Sequence, residues 1–474
     1  MTVNHQDGQN HDLLFQYTTG RWLWNEATHL SARYVKFNVG ALCQVAADSV
    51  GSRSCSDITK LTEGNFNKVF LLTMDDGKEV IAKIPNPNAG RAHFVTSSEV
   101  ATMDFVRNRL HIPAPNVYAW CSDASRSTVG AEYIIMEKVP GAQLSRFWDE
   151  MEVMQKSKVV ANIVRFEKSL AQNPFCEYGS LYYSDGDTAN KRGFTVGPTN
   201  NRKYFDDGRS SLVLDRGPWS SAEEYIIANA KRERESIGAL GPSPRLQGIF
   251  NGLGQYQPSE AAKLHALDLY LTLSHYLLPK NKEAGKAVLW HPDLHTDNIF
   301  VDPRDPTKIT GVIDWQAVHI APLFLQVRRP AFLDFDGPIP ERLKLPRLPE
   351  NFDELSLEEQ VCAKRLRNKQ ALVTGLTKSL SSDREPIILK AERIKQRENL
   401  QKWQEGVELM NDVVQSLGVY SGWDGFVSHD EYDAMRQRVR ESRDAFLRRM
   451  AGSDEAKREQ WRKENQFNLQ LHKV

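Results

Sequence analysis

Leu289–Val301 reads LWHPDLHTDNIFV, with His291, Asp293, His295, Asp297 and Asn298 set in an apolar frame. Two chemistries use these residue types at this spacing. On an extended segment His291, Asp293 and His295 alternate and share one face, which suits a metal ion. The same stretch also spells H-x-D-x-x-x-x-N from His291 through Asp293 to Asn298. That is the order in which a phosphoryl-transfer loop presents a carboxylate to an acceptor hydroxyl and an amide oxygen to a divalent cation. The readings differ in what else they need. A metal hydrolase needs further ligands, and His111, His275 and His319 are available but form no second spaced motif. Phosphoryl transfer needs a lysine, a glutamate, a phosphate-covering loop and a second metal carboxylate, in a fixed chain order.

Each of those parts has a candidate. Lys83, in VIAKI, is a charge between apolar residues on the third strand of a hairpin series. Alone it reads as a snorkelling edge lysine. Glu99 lies in the first turn of the helix that follows and could hold that lysine. Glu63-Gly64-Asn65-Phe66-Asn67 falls between the first two strands, where backbone N–H groups could cover phosphates. With only Gly64 it is a poor glycine-rich loop, and it is at least a β-turn. Asp314 ends ITGVID, one β-hairpin after Asn298. Leu333–Gly337 offers a rival in D-F-D-G, but it comes too late, beyond a proline-marked apolar segment, so Asp314 is the expected ligand and Asp336 a loop or cap residue. Five parts in the right order outweigh the metal-hydrolase reading. His295 is then expected to be hydrogen-bonded within its loop.

The elements around these residues change character along the chain. Arg33–Ala47 has helical spacing. Asp57–Pro85 reads as three strands, with Asp75-Asp76-Gly77 as the turn between the last two. Ser97–Leu110 is predicted as a helix with a serine start signal, ended by Pro113 and Pro115. Asn116–Ser122 and Glu132–Val139 are predicted strands, closed by Pro140-Gly141. From there the pattern is mainly helical, strongest in Val159–Gln172 and Glu260–Leu278. Between those two, Gly179–Pro218 reads as a hairpin and long loops. A turn at Asp302–Pro306 and a strand over Ile309–Trp315 follow the catalytic-loop candidate. Beyond the prolines at 338–349 the chain is charged and helical, and DEAKREQWRKEN is expected to be a solvated face.

The bulk numbers fit this reading. The chain has 474 residues, 40% hydrophobic and 26% charged, as in a soluble globular protein. Lys+Arg and Asp+Glu balance at 61 each, which leaves no global field to gather nucleic acid. The 5 cysteines are scattered without a C-x-x-C pair, as expected for thiols in a reducing compartment. No apolar run is long enough for a membrane span. MTVNHQDGQNHD, with two Asp and no Arg, argues against a transit peptide.

HPDLHTDN and VIDW resemble the loop H-G-D-x-H-x-x-N and the metal strand I-D-W/F of the aminoglycoside phosphotransferase and choline-kinase-like family, with Pro292 where glycine is usual. The resemblance covers Asp57–Trp315. Gly20–Val39 and Gly197–Arg209 resemble a fungal branch named for mitochondrial inheritance. That implies a mitochondrial location, against a cytoplasmic one if the visible N-terminus is taken at face value.

The family implies an α+β, two-lobed, protein-kinase-like fold, with a β-rich lobe bearing one helix and a larger helical lobe. The expected division is an N-terminal helical extension over 1–50, an ATP-binding lobe over 51–139, a catalytic lobe over 140–350 and a charged helical extension over 351–474. ATP and Mg²⁺ are the implied cofactors. Asp293 is the expected catalytic base and Asn298 and Asp314 the metal ligands. Lys83 and Glu99 should position phosphates under Gly64 and Asn65, and the backbone of Glu137–Val139 should bind adenine. His291 is expected to brace the loop. The acceptor is expected to be a small molecule, and the alternative is an ATP-binding pseudokinase or scaffold.

Overall fold

The computed structural model describes residues 2–3, 12–61, 63–184, 193–241, 259–327, 330–333, 346–349, 351–380, 416–419, 423 and 425–451. It is a mixed α and β fold of the kinase-like kind. Its first half is an antiparallel sheet in the order Cys55–Lys60, Asn67–Met74, Glu79–Pro85, Tyr133–Glu137, Val117–Cys121, with Thr2–Val3 on the outer edge. Asn67–Met74 shows the period-2 alternation of a half-buried strand, with Lys68, Phe70, Leu72 and Met74 inward. The Asp75-Asp76-Gly77 turn forms as expected, with Gly77 at φ 82° and Met74 N–H bonded to Lys78 O at 2.8 Å.

The first long helix runs over Val39–Val50, later than its sequence pattern suggests. Asn38 sets the start by accepting the Ala41 N–H on its side chain at 3.0 Å, and Gly51 at φ 68° ends it. Leu42, Cys43, Ala46 and Ala47 of this helix share one core with Ile58, Phe70 and Leu72 of the sheet. Leu14, Phe15 and Phe37, ahead of this helix, belong to the same core.

The helix bearing Glu99 spans Phe94–Asn108, starting before the expected Ser97. Ser97 is no cap; its hydroxyl donates back to His93 O from within the helix. Glu99 consequently sits in the second turn. Below the sheet, Val153–Gln172, Ala222–Leu240 and Glu260–Leu277 supply the helices. The core formed by Val100, Met103 and Ile112 continues into Trp219, Tyr225, Trp290 and Trp315, so both halves pack on common apolar residues.

The link between the halves is set by glycine. Gly141 has φ 104°, and a Cβ there would lie 2.2 Å from Val301 O, so the chain passes at backbone distance over the Ile299–Asp302 strand. Ala142–Gln143 pairs with that strand, and the strand pairs with Asp305–Val312. Gly311 lets this second strand slide under Val139, whose Cγ1 would meet a Cβ at 2.3 Å. The expected strand over Ile309–Trp315 starts earlier and stops at Val312, so Asp314 lies just past it.

Candidate active site

Lys83 lies between Val69 and Ile134 in the sheet register, with its side chain almost fully covered. Its Nζ is 2.7 Å from Glu99 Oε1 and 3.2 Å from Asp314 Oδ1. Burial works against the ammonium, but the Glu99 and Asp314 carboxylates outweigh it and hold its pKa above the ordinary value. Burial likewise opposes charge on Asp314, and Lys83 overrides it, so Asp314 titrates below the usual carboxylate range. Asp314 is at φ 62°, in the left-handed region, which turns its side chain out of the strand path; 42% of that side chain is accessible.

The HPDLHTDN loop is braced from within. His291 is buried; its Nε2 donates to Ile313 O at 2.9 Å, and its Nδ1 accepts the Asp293 N–H at 3.3 Å. Both ring nitrogens are occupied, which removes His291 from the metal-hydrolase reading. Burial lowers its pKa and keeps the ring neutral, as the two bonds require. His295 Nδ1 accepts the Asp297 N–H at 3.3 Å and so starts the short turn Thr296–Asn298. The Asn298 amide donates to Asp293 O at 2.9 Å, and Asn298 O accepts the Ile313 N–H at 2.9 Å. Its Oδ1 has no hydrogen-bond partner among the described residues, which fits it for a hard cation beside Asp314. Asp293 has 67% of its side chain exposed, with Oδ2 at 3.5 Å from His295 Nε2. Asp336 lies outside the described residues.

The loop over Glu63–Asn67 is held by a charge network and not by glycine geometry. Gly64 has no positive φ, and a Cβ there would meet nothing within 4 Å. Glu63 is the anchor. Its carboxylate, buried, takes Lys68 Nζ at 2.7 Å, Lys60 Nζ at 2.9 Å and the Thr18 N–H at 2.8 Å. Burial lowers the Lys68 pKa to about 8, with Glu63 opposing the fall. At the tip, Asn65 O accepts from Asn88 at 3.1 Å, Asn67 donates to Gln316 at 2.6 Å, and Arg202 stacks on Phe66 at 4.0 Å. The loop therefore reaches across to the segment that follows Asp314.

At the strand end, the Glu137 N–H is given to Asn116 O at 2.8 Å, and its carboxylate accepts from Arg107 at 2.9 Å. The Val139 N–H has no partner among the described residues. Thr310 Oγ1 donates to Pro140 O at 2.6 Å and fixes the chain there.

A cavity of about 690 Å³ opens beside Asp293, with Trp290, Glu167, Asn201, Arg202, Lys203 and His319 among its lining residues. Glu167, Arg202 and Lys203 escape the motif reading. Glu167 had a signal: it falls on the apolar stripe of Val160, Ile163, Val164 and Leu170 and is buried with them. Arg202 and Lys203 fall in the Gly197–Arg209 segment, whose resemblance gave no role to either residue.

This is the architecture of a phosphotransferase, and over residues 57–325, more than half of the chain, the sequence matches the phosphotransferase enzyme family. The chain belongs to that family. A subtelomeric hrmA-associated cluster protein of Aspergillus fumigatus is 36% identical over 338 residues, which cover 65% of this chain and 66% of that one. Altered inheritance of mitochondria protein 9, mitochondrial, of Yarrowia lipolytica is 26% identical over 408 residues, covering 76% and 67%. The chain thus spans about two thirds of the length of these curated relatives. Among solved structures, the streptomycin–ATP complex of APH(2")-IIa aligns with a TM-score of 0.32 at 12% identity, over 60% of this chain and 73% of that one. That likeness is too distant to add to the family match. Among the described residues, no helix is long and apolar enough to cross a membrane, and no group of three His, Cys, Asp or Glu could hold a metal ion.

Proposed function

We propose that this chain transfers the γ-phosphoryl group of Mg-ATP to a hydroxyl of a small molecule. The observation that carries this reading is Lys83 held between Glu99 and Asp314, next to a loop that leaves the Asp293 carboxylate exposed and the Asn298 Oδ1 unpartnered. Lys83 positions the α- and β-phosphates, and Glu99 fixes Lys83. Gly64 and Asn65 lie over the phosphates. Val139 N–H and Glu137 O take the adenine edge. Asn298 Oδ1 and Asp314 hold Mg²⁺, which when bound neutralises charge on the phosphates. Asp293 orients the acceptor hydroxyl and receives its proton as the oxygen bonds to the γ-phosphorus and the bond to the β-phosphate oxygen breaks. The cavity beside Asp293 has the volume of a small-molecule site.

The names of the relatives support a mitochondrial location over a cytoplasmic one, which imaging of the tagged chain in cells decides. The nucleotide reading is tested by thermal and chemical denaturation with and without Mg-ATP. At 100 times its Kd the ligand stabilises the native state by about 2.7 kcal/mol. An unchanged melting temperature, with no nucleotide retained in equilibrium dialysis, contradicts it.

A further inference from the structure

The cavity beside Asp293 has a distinct charge. Its acidic lining residues among those described are Asp293 and Glu167, and its cations are Arg202 and Lys203. Asp293 is committed to the acceptor hydroxyl. Glu167 is 4% exposed, and its Oε2 has no partner among the described residues. Burial raises its pKa to about 8, so at neutral pH it is mostly an uncharged acid and a hydrogen-bond donor. Apart from the base, the charged lining residues among those described are Arg202 and Lys203.

Both cations are placed by the fold. Asn201 accepts the Lys203 N–H on its side chain at 3.1 Å, which forms the turn Arg202–Tyr204. The same side chain reaches His319 Nε2 at 3.4 Å, which ties the turn to the segment following Asp314. Arg202 lies over the Phe66 ring at 4.0 Å and pairs through one terminal nitrogen with Asp206 at 2.9 Å; its Nε is buried with no partner among the described residues. Lys203 is exposed and makes no ion pair among the described residues. A cationic acceptor entering this cavity meets Lys203 and the Asp206-paired Arg202, and among the described lining residues no ionised carboxylate except the base. An acidic one meets two cations and a neutral acid that can donate to it.

We infer that the acceptor is an anion, a hydroxyl compound carrying a carboxylate or phosphate group that Lys203 and Arg202 hold while Asp293 engages the hydroxyl. This rests on the phosphotransferase reading and narrows its substrate class.

The test uses the full chain with Mg²⁺ and γ-labelled ATP against two panels. One panel contains glycerate and glycerol 3-phosphate, the other choline, ethanolamine and glucosamine. Label is expected in the anionic panel. Lys203→Gln is expected to raise the acceptor KM at least about tenfold while the ATP KM stays constant, since one charge-assisted hydrogen bond is lost. Arg202→Gln should do the same and, through Phe66, also weaken ATP. Label confined to the cationic panel, or an acceptor KM unmoved by Lys203→Gln, overturns the inference. Where neither panel is labelled, thermal shift with the same compounds decides. Stabilisation by the anions that Lys203→Gln removes supports it, and no stabilisation by any anion overturns it. Mg-ATP binding is measured in parallel. A chain that binds Mg-ATP and labels only amines keeps the phosphotransferase reading and loses this one; a chain that binds no Mg-ATP loses that reading itself.

Discussion

Glu167→Gln should make the protein more stable in alkaline solution and leave it nearly unchanged in acid. The carboxyl is buried among Phe166, Leu170, Trp290, Leu294 and Trp315, with no hydrogen bond to its Oε2. Burial raises its pKa from the usual 4.5 to about 8. Between those values the native state holds a proton that the unfolded chain has released. Stability from this group is therefore complete below about pH 4.5 and falls by about 1.4 kcal/mol per pH unit until the folded pKa is passed. The full loss is on the order of 5 kcal/mol. Glutamine keeps the shape and has no proton to lose, so the variant lacks this slope. Urea unfolding at pH 5.5, 6.5, 7.5 and 8.5 measures it. The gap between variant and wild type should widen with pH up to about 8 and then level off, in favour of the variant. A gap constant across pH, or one that favours the wild type as pH rises, refutes the reasoning and shows the carboxylate to be ionised and paired.

Further outcomes are expected from the same geometry. Gly141→Ala should unfold the chain or cost several kcal/mol, because its Cβ would sit 2.2 Å from Val301 O at φ 104°; expression and melting temperature read this. Gly64→Ala should leave the melting temperature unchanged, as its Cβ meets nothing within 4 Å, so any loss of ATP affinity in dialysis reports contact with nucleotide. Glu63→Gln should destabilise by about 3–5 kcal/mol in urea unfolding, because Lys60 and Lys68 lose the buried carboxylate that offsets their desolvation. Asp314→Ala should abolish the Mg²⁺ dependence of nucleotide binding, whereas Asp336→Ala should not; the reverse result in a titration assigns the metal to the wrong aspartate.

What the sequence made legible was local. The Asp75-Asp76-Gly77 turn, the five strands and the HPDLHTDN loop are set by neighbouring residues, so their types and spacing sufficed. Lys83 and Glu99 were found because a template fixes the order of strand and helix, and the ion pair at 2.7 Å brings them together. Boundaries failed where a side chain reset them, as Asn38 does for the helix at Val39–Val50. The Ala222–Leu240 helix left little apolar contrast, because its covered face includes Ala228, Ala230, Arg232 and Ser236. Long-range ties left no trace in pattern. Glu63 is anchored by Thr18, and Trp22 pairs in register with Phe426, with Gly20 left bare so that the Phe426 ring fits. The cations that line the cavity beside Asp293 come from the turn Arg202–Tyr204, which folding brings there from a segment distant in sequence.

Asp293 is proposed to serve the acceptor and not the nucleotide. Asp293→Asn preserves the loop, since the bonds that hold it there run through the Asp293 backbone. The decisive measurement is transfer of labelled γ-phosphate by wild type and Asp293→Asn over a broad metabolite pool, with Mg-ATP affinity determined on the same samples. Unchanged nucleotide binding and a fall in transfer of about 10²–10⁴-fold are expected. A wild type that binds Mg-ATP but labels nothing, in cells whose function survives Asp293→Asn, contradicts this role and makes the chain an ATP-binding scaffold.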